Sequence, residues 1–189
     1  MPKEYTISIT DYKNVHDWFY LITATILVDV VALFLTKYPG KDPYFNVNSL
    51  DDWYTKFGIT AVLSDVTSIL IGLAATRYIY TALNLNNPVF FILILVIFQL
   101  CHDVFFFLAV IRPIPKGENQ LIDVFKAYAE ENGKKILGAD ALLMLGSVAI
   151  AYALKSIPDH FTSTLLLITL YTLTYILYTR KASTSSKEP

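Results

Sequence analysis

The sequence predicts an all-α, polytopic membrane protein: one bundle of about five transmembrane helices with a short amphipathic helix at the interface. Three observations predict it. Hydrophobic residues make up 54% of the 189 and charged residues only 16%, against about 25% charged in ordinary soluble domains. The charges gather in five short stretches and leave long apolar runs between them. Those runs match the roughly 20 residues that cross a hydrocarbon core about 30 Å thick at about 1.5 Å per residue.

Five segments qualify as spans: Trp18–Thr36, Gly58–Tyr80, Val89–Ile111, Ile136–Leu154 and Phe161–Thr179. The third is the most apolar, with only Gln99, His102 and Asp103 polar. The fifth is rich in threonine and tyrosine. Threonine suits lipid because its hydroxyl bonds back to its own helix carbonyls. An even number of spans, with the fifth segment on the surface, stays open. The first apolar run is longer than a signal-peptide core and ends in Lys37-Tyr38-Pro39-Gly40, so it reads as a retained helix.

The punctuation between spans agrees. Pro39 and Gly40 end the first. Ser49 with Asp51 and Asp52 reads as an N-terminal cap that starts the second helix before it enters lipid. Asn86-Asn87-Pro88 forms a short turn, Arg112-Pro113-Ile114-Pro115 stops the third helix, and Pro158 separates the last two. Between the third and fourth spans, Leu121, Ile122, Val124, Phe125 and Tyr128 fall at helical spacing, with Asp123, Lys126, Glu130 and Glu131 on the other face. Segment 119–131 is therefore expected as an amphipathic helix, at the membrane interface or as an ordinary connection. Residues 1–179 form one domain, and 180–189 read as a disordered tail.

Lysine and arginine set the orientation. One side carries Lys3, Lys13, Arg77 and Lys155. The other carries Lys37, Lys41, Lys56, Arg112, Lys116, Lys126, Lys134, Lys135, Arg180, Lys181 and Lys187. The positive-inside rule places the second side in the cytoplasm, with the amino terminus outside or in a lumen. Trp18 on one side, and Trp53 with Tyr54 on the other, are expected in aromatic belts. The partner this predicts is the lipid bilayer, with protein partners or self-association possible through the helix faces. A net charge of −1 provides no field for nucleic acid.

One constellation stands out. The first four spans each contain one aspartate: Asp29, Asp65, Asp103 and Asp140. Asp29 lies eight residues before Lys37, Asp65 nine after Lys56, Asp103 nine before Arg112 and Asp140 five after Lys135. Successive helices alternate in direction, so the four carboxyls are expected at one depth, roughly 8–14 Å below the basic rim. Each lies on a small or polar stripe: Thr25, Ala32 and Thr36 with Asp29; Ala61, Ser68 and Gly72 with Asp65; Gln99 with Asp103, and His102 beside it; Ser147 and Ala151 with Asp140. Such faces pack inward. A buried aspartate costs about 2.5–3.5 kcal/mol on insertion scales, and no lysine or arginine lies at this depth. The carboxyls must be protonated and bonded to one another, bind a cation, or line a wet cavity. As glue they fix the bundle. As a site, Asp29, Asp65, Asp103, Asp140, His102 and Gln99 are the candidates for proton or cation transport. A carboxylate-rich site favours a hard divalent cation over zinc, but the sequence leaves any metal open.

Other chemistry is missing from the sequence. Cys101 is the single cysteine, which excludes an internal disulfide and a cysteine-rich zinc site. There is no phosphate-binding glycine loop, no nucleophile elbow, no His-Glu-x-x-His, no histidine box and no lysine placed for a Schiff base. No cofactor is expected, and the reading leans away from an enzyme. Tyr171, Tyr175 and Tyr178, and Phe105 to Phe107, read as packing or lipid contact.

Gln99-Leu-Cys-His102-Asp103-Val-Phe-Phe, then Pro113-Ile-Pro115-Lys-Gly117-Glu-Asn119-Gln-Leu-Ile-Asp123, then Gly138-Ala-Asp140, resembles small polytopic membrane proteins of large DNA viruses of algae and protists. The resemblance covers roughly residues 95–180 and brings no catalytic residue with it. It implies a virus-encoded protein of a virion inner membrane or a host membrane. Three functions follow in order: a structural or assembly component of a membrane, a small proton or cation transporter using the four aspartates, and a membrane-embedded lipid-modifying enzyme.

Overall fold

The computed structural model describes residues 8–38, 48–133 and 135–179. These residues form α-helices and connections, without a strand among them. The helices are α1 (Asp17–Lys37), α2 (Asn48–Phe57), α3 (Ile59–Ala82), α4 (Pro88–Phe106), α5 (Gln120–Asn132), α6 (Lys135–Lys155) and α7 (Asp159–Leu177). Residues Phe107–Ile111 continue α4 as a π-helical turn, closed by Arg112 N–H donating to the Phe107 carbonyl at 2.8 Å. Five helices are long and apolar enough to cross a membrane: α1, α3, α4 with its π turn, α6 and α7. The outward faces agree with an integral membrane location. Phe90, Leu93, Ile97, Leu100 and Val104 of α4, and Leu167, Ile168 and Tyr171 of α7, are exposed. That much apolar surface is far beyond what a soluble monomer presents to water.

The four aspartate-bearing helices close into a ring. α1 packs on α3, α3 on α4, α4 on α6, and α6 on α1. α3 and α6 approach across the middle, where the Met144 side chain lies over Gly72 so closely that a Cβ on Gly72 would fall 2.7 Å from Met144 Cε. α7 packs outside the ring along α1 and sends Leu173, Ile176 and Leu177 into the core. It lies within the bundle, which disfavours a surface helix. Its threonines behave as their chemistry requires: Thr164 and Thr169 donate to the carbonyls four residues back, each at 2.8 Å.

The two short helices cross the basic end of this ring. α2 packs against α1, α3 and α5, and α5 against α6 and the π turn. Asn119 caps α5, its side chain accepting from Leu121 N–H at 2.9 Å. The expected continuous second helix is not what forms. The chain breaks at Gly58, where φ +53° and ψ −127° leave the helical region, so Ser49 to Phe57 belong to a separate α2. α5 meets α6 through Gly133 in almost the same conformation, φ +52° and ψ −130°. Both junctions require glycine because a Cβ disfavours positive φ. The Pro39-Gly40 stop and the 180–189 tail lie outside the described residues.

Trp53 and Tyr54 are not an aromatic belt. They are 3% and 4% exposed and point down into the bundle, since α2 is amphipathic and buries that face. Trp18 is half-buried, with the Arg77 guanidinium 5.1 Å from its ring centroid.

Candidate functional site

The aspartates lie near one another, and side chains of α2 and α5 meet three of them. Tyr54 is central. Its hydroxyl donates to Asp29 Oδ1 at 3.3 Å and also lies within bonding reach of Asp65. Burial, then the charges of Asp29 and Asp65, push its phenol pKa well above the ordinary value. Trp53 Nε1 donates to Asp65 Oδ2 at 3.0 Å. From α5, Tyr128 faces Asp140 and Asp65, and burial with those carboxylates and Glu131 raises its phenol too. Asp140 in turn lies within electrostatic reach of Asp103 and Asp65.

Asp103 completes the ring from α4. Gln99 Nε2 donates to Asp103 Oδ1 at 2.7 Å, and His102 Nδ1 lies 3.2 Å from the same oxygen. The His102 ring stacks between Phe98 and Phe106 along α4, with centroids 6.5 and 6.0 Å away. It serves Asp103 as a hydrogen-bond partner and does not point across the ring. Among the described residues no three His, Cys, Asp or Glu groups converge as metal ligands.

Two oxygens in this layer are buried without a hydrogen-bond partner: Asp29 Oδ2 and Asp103 Oδ2. Asp29 is 1% exposed. The rim lysine Lys37 is engaged elsewhere. Lys37 Nζ is buried against Asp51 Oδ1 at 3.0 Å, tying α1 to α2 at the rim.

Sequence reasoning missed a second polar cluster at the opposite end. Asp17 and Arg77 are both 0% exposed. Asp17 accepts from Lys155 Nζ at 2.6 Å, from Arg77 at 3.3 Å and from Asn14 Nδ2 at 3.1 Å. Arg77 also donates to the carbonyls of Asp11 and, at 2.9 Å, Asn14, while Lys155 donates to that of Ser8 at 2.5 Å. Residues 8–16 are thereby strapped across this end. At its edge Tyr20 donates to Asp159 Oδ1 at 2.6 Å, and His16 Nε2 lies 3.2 Å from Asp159. The signal was present: Arg77 is a lone arginine inside an apolar run, and Asp17 and Lys155 sit at the same end of neighbouring spans.

No protein family, no curated protein and no solved structure matches this chain.

Proposed function

We propose that the protein is a small multi-pass carrier of protons or small cations, with the Asp29, Asp65, Asp103 and Asp140 layer as the place where the ion resides. The basic end faces the cytoplasm in this reading. One observation carries it: Asp29 Oδ2 and Asp103 Oδ2 are buried and unbonded within the same ring. Glue between helices is selected to satisfy its oxygens, because an unpaired buried acceptor costs about 1–3 kcal/mol, and more when charged. A carboxyl group with an open oxygen, no lysine or arginine bonded to it and other carboxyls nearby calls for a positive partner that comes and goes.

The test is flux into proteoliposomes under an imposed pH gradient or diffusion potential. The wild type is expected to dissipate it. Asp29→Asn and Asp103→Asn keep side-chain shape and hydrogen bonding, and are expected to suppress flux while leaving the purified protein monodisperse. If proton, Na⁺ and K⁺ movement all match empty liposomes, the reading is rejected.

A second reading, a structural or assembly component of a viral or host membrane, is favoured by the covering of both ends of the ring, by residues 8–16 on one side and α2 with α5 on the other. It predicts that all four Asp→Asn changes leave assembly intact. Cross-linking in the native membrane that captured no protein neighbour would count against it.

A further inference from the structure

The α2–α5 pair is built as a cover. Its members hold one another: Ser49 N–H and Oγ donate to Glu131 Oε2, the former at 2.9 Å, and Trp53 packs on Phe125 with centroids 4.8 Å apart. The 112–119 loop travels with α5, because Gly117 N–H donates to both oxygens of Asp123 at 3.0 and 3.1 Å and Lys126 donates to the Ile114 carbonyl. Each helix is followed at once by a glycine in the same positive-φ conformation, Gly58 directly before α3 and Gly133 two residues before α6. The cover meets the ring through Tyr54 to Asp29, Trp53 to Asp65, and Lys37 to Asp51 and Thr55 at the rim, while Trp53, Tyr54 and Val124 share an apolar cluster with Val30, Val62 and Leu173. Beside the Tyr54 contact lies Asp29 Oδ2, buried and unbonded.

We propose that α2 and α5 swing as one body about Gly58 and Gly133 and so expose the aspartate layer to water at the basic end. Hinges are a few positions at element ends that absorb a backbone change, and these two junctions are the shortest links from the cover to the ring; the longer ones are residues 38–47 after α1 and 112–119 after the π turn of α4. The inference rests on the acidic layer as the working site, but what it predicts is access rather than flux.

The experiment measures access directly. Full-length protein with Cys101→Ser is treated in detergent with a water-soluble carbodiimide and an amine, and mass spectrometry locates modified carboxyls. Exposed Asp52 and Glu118 report the reagent's activity in every sample. Asp65 and Asp140 are half-buried and react with the cover closed, so Asp29, 1% exposed, is the reporter; with the cover opening to a minor state on the order of 1–10% of molecules, Asp29 is modified slowly. Two cysteine pairs, each bridged by a reductant-cleavable thiol linker, then separate the possibilities. Lys37→Cys with Asp51→Cys ties α2 to the ring, and modification is expected to fall at least about tenfold as the open state is removed. Ser49→Cys with Glu131→Cys ties the cover to itself, and modification is expected to persist. Cleaving either linker returns its variant to the unlinked rate, which shows that the fold survived.

The proposal is overturned if Asp29 stays unmodified without any linker, if the α1–α2 link leaves its modification unchanged, or if the α2–α5 link suppresses it equally. Modification without ion flux would leave the cover standing and remove the carrier. Flux without modification would do the reverse.

Discussion

Replacing Gly133 by alanine isolates the backbone term at one of the two junctions. A Cβ built on Gly133 meets nothing within 4 Å, so no clash contributes. What remains is φ +52° with ψ −130°, a conformation that an L residue with a side chain rarely adopts. Holding alanine there costs about 1–3 kcal/mol. Five residues later the same substitution has the opposite sign. Gly138 lies inside α6, where a Cβ again meets nothing within 4 Å. There alanine loses less chain entropy than glycine and stabilises the helix by about 0.5–1 kcal/mol. The assay is reversible unfolding of both variants in mixed micelles, followed by tryptophan fluorescence, since Trp53 is buried beneath α2 and reports release of the cover. A Gly133→Ala protein as stable as wild type, or two variants shifting in the same direction, would refute the reasoning. Gly58→Ala repeats the test at the other junction, where the nearest atom to a Cβ, the Tyr178 hydroxyl, lies at 3.8 Å, an ordinary contact.

Three further outcomes follow from the contacts. Asp17→Asn strips the carboxylate from a fully buried site shared by Arg77 and Lys155, and its expected destabilisation is about 3–5 kcal/mol; thermal unfolding measures it, and adding Lys155→Met is expected to recover part of the loss. Trp53→Phe removes the donor to Asp65 while keeping most of the ring, at a cost of about 1.5–3 kcal/mol for a bond to a charged group; an unchanged unfolding midpoint in SDS titration would contradict the bond. Tyr54 and Tyr128 hold their phenol protons more tightly folded than unfolded, so the stability they contribute is complete below the ordinary phenol value of 10.0 and drains as pH rises above it. Tyrosinate absorbance should therefore show a late step that coincides with unfolding, and Tyr54→Phe should diminish it.

How much was legible follows from the physics of each element. Hydropathy places the spans to within a residue or two, since lipid thickness fixes helix length: Trp18–Thr36 was expected and α1 runs Asp17–Lys37. The N-terminal cap expected at Ser49 does not form, since Ser49 lies inside α2 and its hydroxyl donates to Glu131, while the side chains that do cap are Asn87 and Asn119. The neighbourhood of the aspartates, Asp29 with Asp65 and Asp140 with Asp65 and Asp103, follows from small and polar helix faces that turn toward one another. Local rules fail where two structures demand the same residues. A belt and a buried cover both place Trp and Tyr beside an interface, so Trp53 and Tyr54 alone do not choose between them. Gly58 reads as the first residue of an apolar run, and only the course of the chain turns it into a break. The Asp17 cluster joins residues 60 and 138 positions apart, a pairing that no window along the chain contains.

That last separation matters while the protein is being made. α1 leaves the ribosome ahead of both cations that bind Asp17: Arg77 lies 60 residues behind it and Lys155 138 behind. At about 5–20 residues per second, the delays are about 3–12 s and about 7–28 s. Between the two, Arg77 alone answers the Asp17 carboxylate, and the cluster closes only when α6 is threaded. Chains cut after α3 should therefore hold α1 less firmly than the full chain does, which makes the last third of translation a condition for that end of the bundle to lock.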